Sequence, residues 1–194
     1  MKKYLELIIQ ALFAGVLIGL AACIFVGCKT YIDAPWGKVL GAALFSIGLI
    51  SVILLDTYLF TGKIGYVDSE AKLADAFIGL FFNLVGAFII GLIYRGCFGI
   101  QTIMDTRLVK TWYQILLDGA GCGALIYLAV ELFKHYKSLL VIILPVMAFI
   151  LANFEHSIAT MAFFGMCNFT WLGLGYIILI ILGNAIGSLA MRWL

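Results

Sequence analysis

The chain has 194 residues, of which 65% are hydrophobic and only 11% are charged, against about 25% charged in a typical soluble domain. A globule of this size could not bury so much apolar surface, which excludes a soluble enzyme and a disordered chain. The net charge of +2 is too small to suggest nucleic acid as a partner. The composition predicts one membrane domain over residues 1–194, in contact with the lipid bilayer.

Charge-free stretches of about 20 residues, the length that crosses a bilayer, define the predicted helices in chain order. One further predicted span, Trp112–Phe133, is interrupted by the charged residues Asp118 and Glu131. The last apolar stretch, 157–191, is too long for one helix, so we expect a half-helix from Ser157 to about Phe164 and a full span from Trp171. The uninterrupted spans are Leu7–Cys28, which we expect to be a retained first helix, Val39–Leu55, Ala76–Tyr94 and Ser138–Phe154; the interrupted one is Trp112–Phe133.

Two polar segments fit a continuous helix badly. Leu59-Phe-Thr-Gly62 follows the second span, and Asn153-Phe-Glu-His-Ser157 follows the fifth. Each predicts a helix break at membrane depth. Non-helical backbone is tolerated there only when it is packed in protein or lines a cavity, so these segments are the first candidates for function.

The two halves of the chain carry related patterns. Ala14-Gly15 recurs as Ala120-Gly121, and Asn83-x-x-Gly86 recurs as Asn184-x-x-Gly187. Because each half has three spans, the halves must insert with opposite orientation. The sequence thus predicts an all-α integral membrane protein with six transmembrane helices. They form an inverted 3+3 repeat, with halves at about 1–100 and 108–194 and with broken second and fifth helices, an architecture typical of a transporter or channel.

Basic residues and cysteines add weaker information. If both termini are cytoplasmic, seven Lys and Arg residues lie inside and five outside, which favours cytoplasmic termini in a plasma (inner) membrane. The five cysteines contain no C-x-x-C pair and most of them lie in apolar stretches, so we expect neither a metal site nor a cofactor.

Four motifs in order along the chain resemble one family. Phe154-Glu-His-Ser-Ile-Ala-Thr-Met161, preceded by Leu144-Pro145 and Phe149, resembles the fifth-helix signature of the formate/nitrite transporter family. The other motifs resemble its second-helix loop, third helix and sixth helix. The chain is shorter than typical members, has Tyr58 where an acidic residue is frequent, and has Cys122-Gly123 where Cys-Asn is common. The three other motifs are Leu59-Phe-Thr-Gly62, Asn83-Leu-Val-Gly-Ala87 and Gly183-Asn-Ala-Ile-Gly187.

The resemblance implies a homopentamer in which each protomer has an aquaporin-like fold and its own pore. The expected substrates are small monovalent anions or their conjugate acids: formate, nitrite, acetate, lactate or hydrosulfide. It also implies roles for individual residues. The central pore histidine would be His156, the loop threonine opposite it Thr61, the constriction residues Phe60 and Phe149 with Leu59 beside them, the pore-side asparagine Asn184, and the vestibule cation Lys110, with Arg107 as the alternative.

Glu155 has two possible roles: it could face the pore, or it could accept hydrogen bonds from backbone N–H groups that the helix break leaves free. For the substrate, a bare anion in an apolar constriction faces a desolvation cost of several kcal/mol or more. Protonating a carboxylate at pH 7 costs only about 4 kcal/mol. We therefore expect passage as the neutral acid, with the proton supplied by His156 or by water.

Two other functions are considered. A water or neutral-solute channel with the same architecture would show a flux that does not depend on pH. An intramembrane hydrolase that uses Ser157 and His156 is disfavoured, because adjacent residues on a helix point about 100° apart and form a poor nucleophile–base pair.

Overall fold

The computed structural model describes residues 2–67 and 72–193. Within these residues the chain forms α-helices and one short 3₁₀ helix, Ile64–Tyr66. The α-helices are α1 (Lys2–Tyr31), α2 (Trp36–Leu54), α3 (Phe60–Lys63), α4 (Leu73–Phe98), α5 (Asp105–Leu108), α6 (Trp112–Tyr136), α7 (Leu140–Leu151), α8 (Ser157–Met166) and α9 (Trp171–Met191).

Five of these helices, α1, α2, α4, α6 and α9, are long and apolar enough to cross a membrane. The shorter apolar helices α7 and α8 flank a break and together make the remaining crossing. The chain is therefore a multi-pass membrane protein, and the predicted six-helix fold is confirmed. Most of the long helices extend beyond the predicted charge-free spans, because a helix continues into the polar headgroup region where charged side chains are tolerated.

The same helix pairs occur in both halves of the chain. Helix α1 packs against α2 and α4, and α6 packs against α7 and α9. The two short central helices cross over: α3 contacts α6 and α9, whereas α8 contacts α4 and α1. Helix α8 is therefore held largely by the opposite half of the molecule, and α3, which also contacts α4, packs against both halves; this brings the two breaks together at the centre.

Glycines allow the paired helices to approach backbone to backbone. A side chain on Gly15 would collide with the backbone of Asn83, and one on Gly123 would collide with the backbone of Asn184. The counterpart of Gly15 is therefore Gly123. This corrects the predicted match to Gly121, which instead faces an aromatic ring.

Candidate functional site

The two helix breaks have the same backbone design. After α2 the chain turns through Asp56, whose φ is +46°, and after α7 it turns through Asn153, whose φ is +59°. Aspartate and asparagine are the non-glycine residues that adopt this left-handed conformation most readily. Two residues later in each break comes a residue whose backbone carbonyl accepts a hydrogen bond, Tyr58 in the first and Glu155 in the second.

A buried asparagine fastens the first break. Asn83 Oδ1 accepts the N–H of Phe60, the first residue of α3, at 2.8 Å. Its Nδ2 donates to the carbonyls of Tyr58 at 2.8 Å and Ala11 at 2.7 Å. One side chain thus satisfies both a donor and an acceptor that the interrupted helix leaves free, as buried backbone in a membrane requires.

Asn184 fastens the second break in the same way. Its Oδ1 accepts the N–H of Ser157 at 2.9 Å, and its Nδ2 donates to the carbonyls of Glu155 and Gly119, each at 2.8 Å. The side chain is fully buried. The pore-side role predicted for Asn184 stays a prediction: its hydrogen bonds go to backbone groups of the break and of α6, and it lines neither of the two cavities described below.

Glu155 belongs to a charged cluster at the second break. Its carboxylate accepts from Arg107 Nε at 2.8 Å, from Lys110 Nζ at 3.5 Å and from Thr160 Oγ1 at 3.1 Å. Asp118 Oδ2 takes a second, shorter contact from Lys110 at 2.7 Å. The freed backbone N–H that Glu155 was expected to bind goes to the asparagine instead, and both candidate vestibule cations are paired with carboxylates.

His156 connects the two breaks. Its Nδ1 accepts the N–H of Ala159 at 3.1 Å and so caps the N-terminus of α8. Because Nδ1 must present a lone pair to that N–H, the neutral ring carries its proton on Nε2. Nε2 lies 2.9 Å from Thr61 Oγ1 and donates to it. Both ring nitrogens are thereby engaged in hydrogen bonds. Neither nitrogen is left to accept the proton of the Ser157 hydroxyl, as a hydrolase would require.

Two cavities approach this contact from opposite ends of α2 and α6. The outer cavity, of about 390 Å³, lies at the N-terminal ends of these helices, and the inner cavity, of about 280 Å³, lies at their C-terminal ends. Among the predicted site residues, His156, Phe149, Glu155 and Lys110 line the outer cavity, together with Arg107. Leu59 lines the inner cavity.

An apolar barrier separates the cavities. Phe45 lines the outer cavity and Leu49, one turn further along α2, lines the inner one. The ring of Phe45 meets that of Phe149 edge-on, with centroids 6.1 Å apart, and the Phe149 ring stacks on His156 at 6.2 Å. The barrier is therefore about one helical turn thick and is bounded by three apolar side chains of α2 and α7 and by Leu59.

The structure places Phe60 away from this barrier. Its ring is buried in a separate apolar cluster with Ile64, Val67 and Ala76, and it lines neither cavity described above. The aromatic ring that meets Phe149 at the apolar barrier is that of Phe45 and not that of Phe60. No sequence signal marks Phe45, because it lies in an uninterrupted apolar span among many other hydrophobic residues.

A bundle of six membrane crossings, with two central helix breaks and a cavity at each end, has the architecture of a membrane channel. The family model described as Formate/nitrite transporter matches residues 1–194, and the chain belongs to that family. The resemblance found in the sequence motifs is thus confirmed.

Individual relatives agree with this assignment. The chain is 28% identical to formate channel FocA of Escherichia coli (strain K12), over 82% of this chain and 65% of that protein's length. It is 26% identical to nitrite transporter NirC of the same organism, over 93% of this chain and 78% of that protein. A solved structure described as a pentameric formate channel with formate bound superposes with a TM-score of 0.81 at 25% identity, covering 96% of this chain and 93% of that one.

Proposed function

We propose that the protein is a channel for small monovalent anions or their conjugate acids, of the formate, nitrite, hydrosulfide, acetate or lactate class. The observation that carries this proposal is the contact between His156 and Thr61, which lies between two cavities at opposite ends of the bundle. The relatives named as a formate channel and a nitrite transporter support the substrate class. The solved pentamer supports a homopentamer, and the two cavities within this single chain support one pore in each protomer.

The apolar barrier favours passage of a neutral species. Phe45, Phe149, Leu49 and Leu59 offer no polar group to replace the hydration shell of an anion. A carboxylate of pKa about 4 is neutralised at pH 7 for about 4 kcal/mol, whereas carrying the bare charge through the barrier costs several kcal/mol or more. The substrate therefore takes up a proton before the barrier and crosses it as the acid.

The hydrogen bonds of His156 favour water over the histidine as the source of that proton. If His156 became a cation, Nδ1 would carry a hydrogen and would face the N–H of Ala159, which would cost the N-cap of α8. The ring therefore stays neutral and donates through Nε2 to Thr61. The Thr61 hydroxyl can then donate its own proton in a hydrogen bond to the passing acid, while water in the outer cavity supplies the transferred proton.

The distribution of basic residues supports an orientation with cytoplasmic termini. The inner cavity lies at the end of the bundle where α1 begins, and Lys63, Lys134 and Lys137 line it. With cytoplasmic termini this cavity opens to the cytoplasm and the outer cavity to the opposite side of the plasma membrane, as the excess of basic residues at that end favours.

Flux into proteoliposomes tests the proposal. Vesicles that contain the protein should take up formate, nitrite or hydrosulfide faster than empty vesicles, and His156→Ala or Thr61→Leu should change the rate. His135→Ala is a matched control, since His135 is an exposed histidine at the end of α6. Uptake equal to that of empty vesicles for every anion would refute the proposal, and if such vesicles still passed water or a neutral solute at a rate independent of pH, the water or neutral-solute channel would be favoured.

A further inference from the structure

The four basic residues that line the outer cavity form two groups with different surroundings. Arg107 and Lys110 are bound to the carboxylates of Glu155 and Asp118, at distances of 2.7 to 3.5 Å. Two cations and two anions cancel, so this group contributes little net charge to the cavity. Its hydrogen bonds instead hold the second break in place.

Lys29 and Lys38 make up the other group, and their charges are not cancelled. Lys38 Nζ donates to the neutral acceptors Asn153 Oδ1 at 2.9 Å and the Leu151 carbonyl at 3.2 Å. Lys29 Nζ lies 5.7 Å from the ring centre of Phe25. Within residues 2–67 and 72–193, neither ammonium has a carboxylate within salt-bridge distance. The positive charge of the outer cavity therefore resides on these two lysines.

The positions of the lysines suit the capture of an anion at the start of the pore. Lys29 lies one turn beyond Phe25 on α1, and Lys38 lies about two turns before Phe45 on α2; all four residues line the outer cavity. Lys29, Lys38 and Arg107 line the same cavity, and an anion held between the two lysines would lie on the route toward Phe45 and His156.

We propose that Lys29 and Lys38 form the anion-receiving site of the outer cavity, while Arg107 and Lys110 support the helix break. The site would take one small monovalent oxyanion, such as a short carboxylate or nitrite, whose oxygens accept hydrogen bonds from the two ammonium groups. This inference rests on the proposed channel function. It assigns the attraction of the anion to Lys29 on α1 and Lys38 on α2 instead of to Lys110.

A double variant tests the site. At low ionic strength, Lys29→Gln/Lys38→Gln should raise the KM for formate uptake about tenfold or more, with the maximal rate unchanged, because the lysines concentrate the anion but do not form the barrier. The difference from the parent protein should shrink as salt is added, since screening weakens the attraction. Lys29→Arg/Lys38→Arg should retain the parent KM. Lys2→Gln/Lys72→Gln, which removes the same charge elsewhere, should do so too.

Several outcomes would overturn the inference while the channel function stands. The first is that the parent protein transports formate and the Gln double variant does so with an unchanged KM. Another is a Lys110→Gln variant of unchanged thermal stability that raises the KM by the same factor. A Gln double variant that loses maximal rate equally at all salt concentrations would also contradict it, because that is the effect expected if Lys38 only caps α7. If the parent protein transports no anion, the proposed function itself fails.

Discussion

The two helix breaks share one backbone framework but differ in their side-chain chemistry. In each, an asparagine from a neighbouring long helix binds the first N–H of the half-helix and a carbonyl within the break. At matching positions, however, the first break has Tyr58 and the second has Glu155. Tyr58 packs in the space left by Gly79, and its buried hydroxyl has no hydrogen-bond partner among the described residues. Glu155 binds two cations and a threonine.

The two breaks therefore share the groups that hold the backbone and differ in the side chains that line the cavities. The asparagines perform the same structural task in both halves, so they explain why the chain can interrupt a helix twice inside a membrane. The histidine and the buried carboxylate of Glu155 belong to the second break, where they line the outer cavity, whereas the charged residue of the first break, Asp56, is exposed. The first break contributes Leu59 to the inner cavity and Thr61 to the central contact. Asymmetric side-chain chemistry is thereby built on a symmetric backbone framework.

Removal of the asparagines should have the largest effect. Asn83→Ala and Asn184→Ala each leave one N–H and one carbonyl of a break without a partner in a buried site, since the carbonyls of Ala11 and Gly119 keep their helical hydrogen bonds. At about 1–3 kcal/mol for each unsatisfied group, both variants should lose at least about 2 kcal/mol of stability and should unfold at a lower temperature in detergent. Thermal unfolding measures the loss, with the exposed Asn168→Ala as control. A variant that loses stability at one break only would contradict the shared framework.

The side chains at the matched positions, Glu155 and Tyr58, should contribute differently to stability. Glu155→Gln removes the negative charge that binds Arg107, so it should cost about 2–3 kcal/mol, the value of hydrogen bonds to charged groups. Tyr58→Phe removes a buried hydroxyl with no partner and should be neutral or slightly stabilising. Chemical unfolding of the two variants in detergent gives both values. Equal costs would show that the first break contains a polar contact comparable to that of Glu155.

The central contact should show a smaller effect. Thr61→Val keeps the shape of the side chain but removes the acceptor of the His156 Nε2 hydrogen, at a cost of about 1–2 kcal/mol. If the hydroxyl also binds the passing acid, formate flux should fall about tenfold, as expected for a loss of about 1.4 kcal/mol in transit. Thr61→Ser keeps the hydroxyl and should retain most of the flux. A valine variant with full flux would remove Thr61 from the pathway.

The smallest effect concerns the location of the barrier. Phe149→Leu widens the apolar barrier and should raise the flux of lactate relative to formate several-fold. Phe60→Leu lies in a separate apolar cluster and should leave that ratio unchanged. Both substitutions should cost only about 1 kcal/mol of stability, as expected for modest changes in volume. Competition between the two acids in the flux assay measures the ratio, and a change in Phe60→Leu would place its ring at the pore.

Much of the fold could be predicted because the membrane leaves few solutions. Charge-free stretches located the crossings, and the polar cluster from Asn153 to Ser157 located the second break correctly. The first break was placed at Leu59–Gly62, but it ends at Leu59, and Phe60–Lys63 is helical. Sequence could not show this, because a single helical turn that is capped by a distant side chain carries no periodicity of its own.

The roles of the polar residues were harder to predict, because they depend on distant partners. Glu155 was expected either to face the pore or to bind a freed backbone N–H, but the asparagine on α9 and not the neighbouring glutamate reaches the free N–H of Ser157. Lys29 and Lys38 were not singled out, because lysines at the ends of membrane spans are common. Only the tertiary structure shows that Arg107 and Lys110 are paired with carboxylates and that, among the described residues, Lys29 and Lys38 are not.

The dependence of flux on pH tests the central claim that the substrate crosses the apolar barrier as a neutral acid. With the total formate concentration and ionic strength held constant, the initial rate of uptake should rise about tenfold for each unit of decrease between pH 8 and pH 5. The reason is that the neutral fraction of a carboxylic acid of pKa about 4 rises by that factor. A rate that stays constant over this range would show that the bare anion crosses the barrier, and would contradict the account.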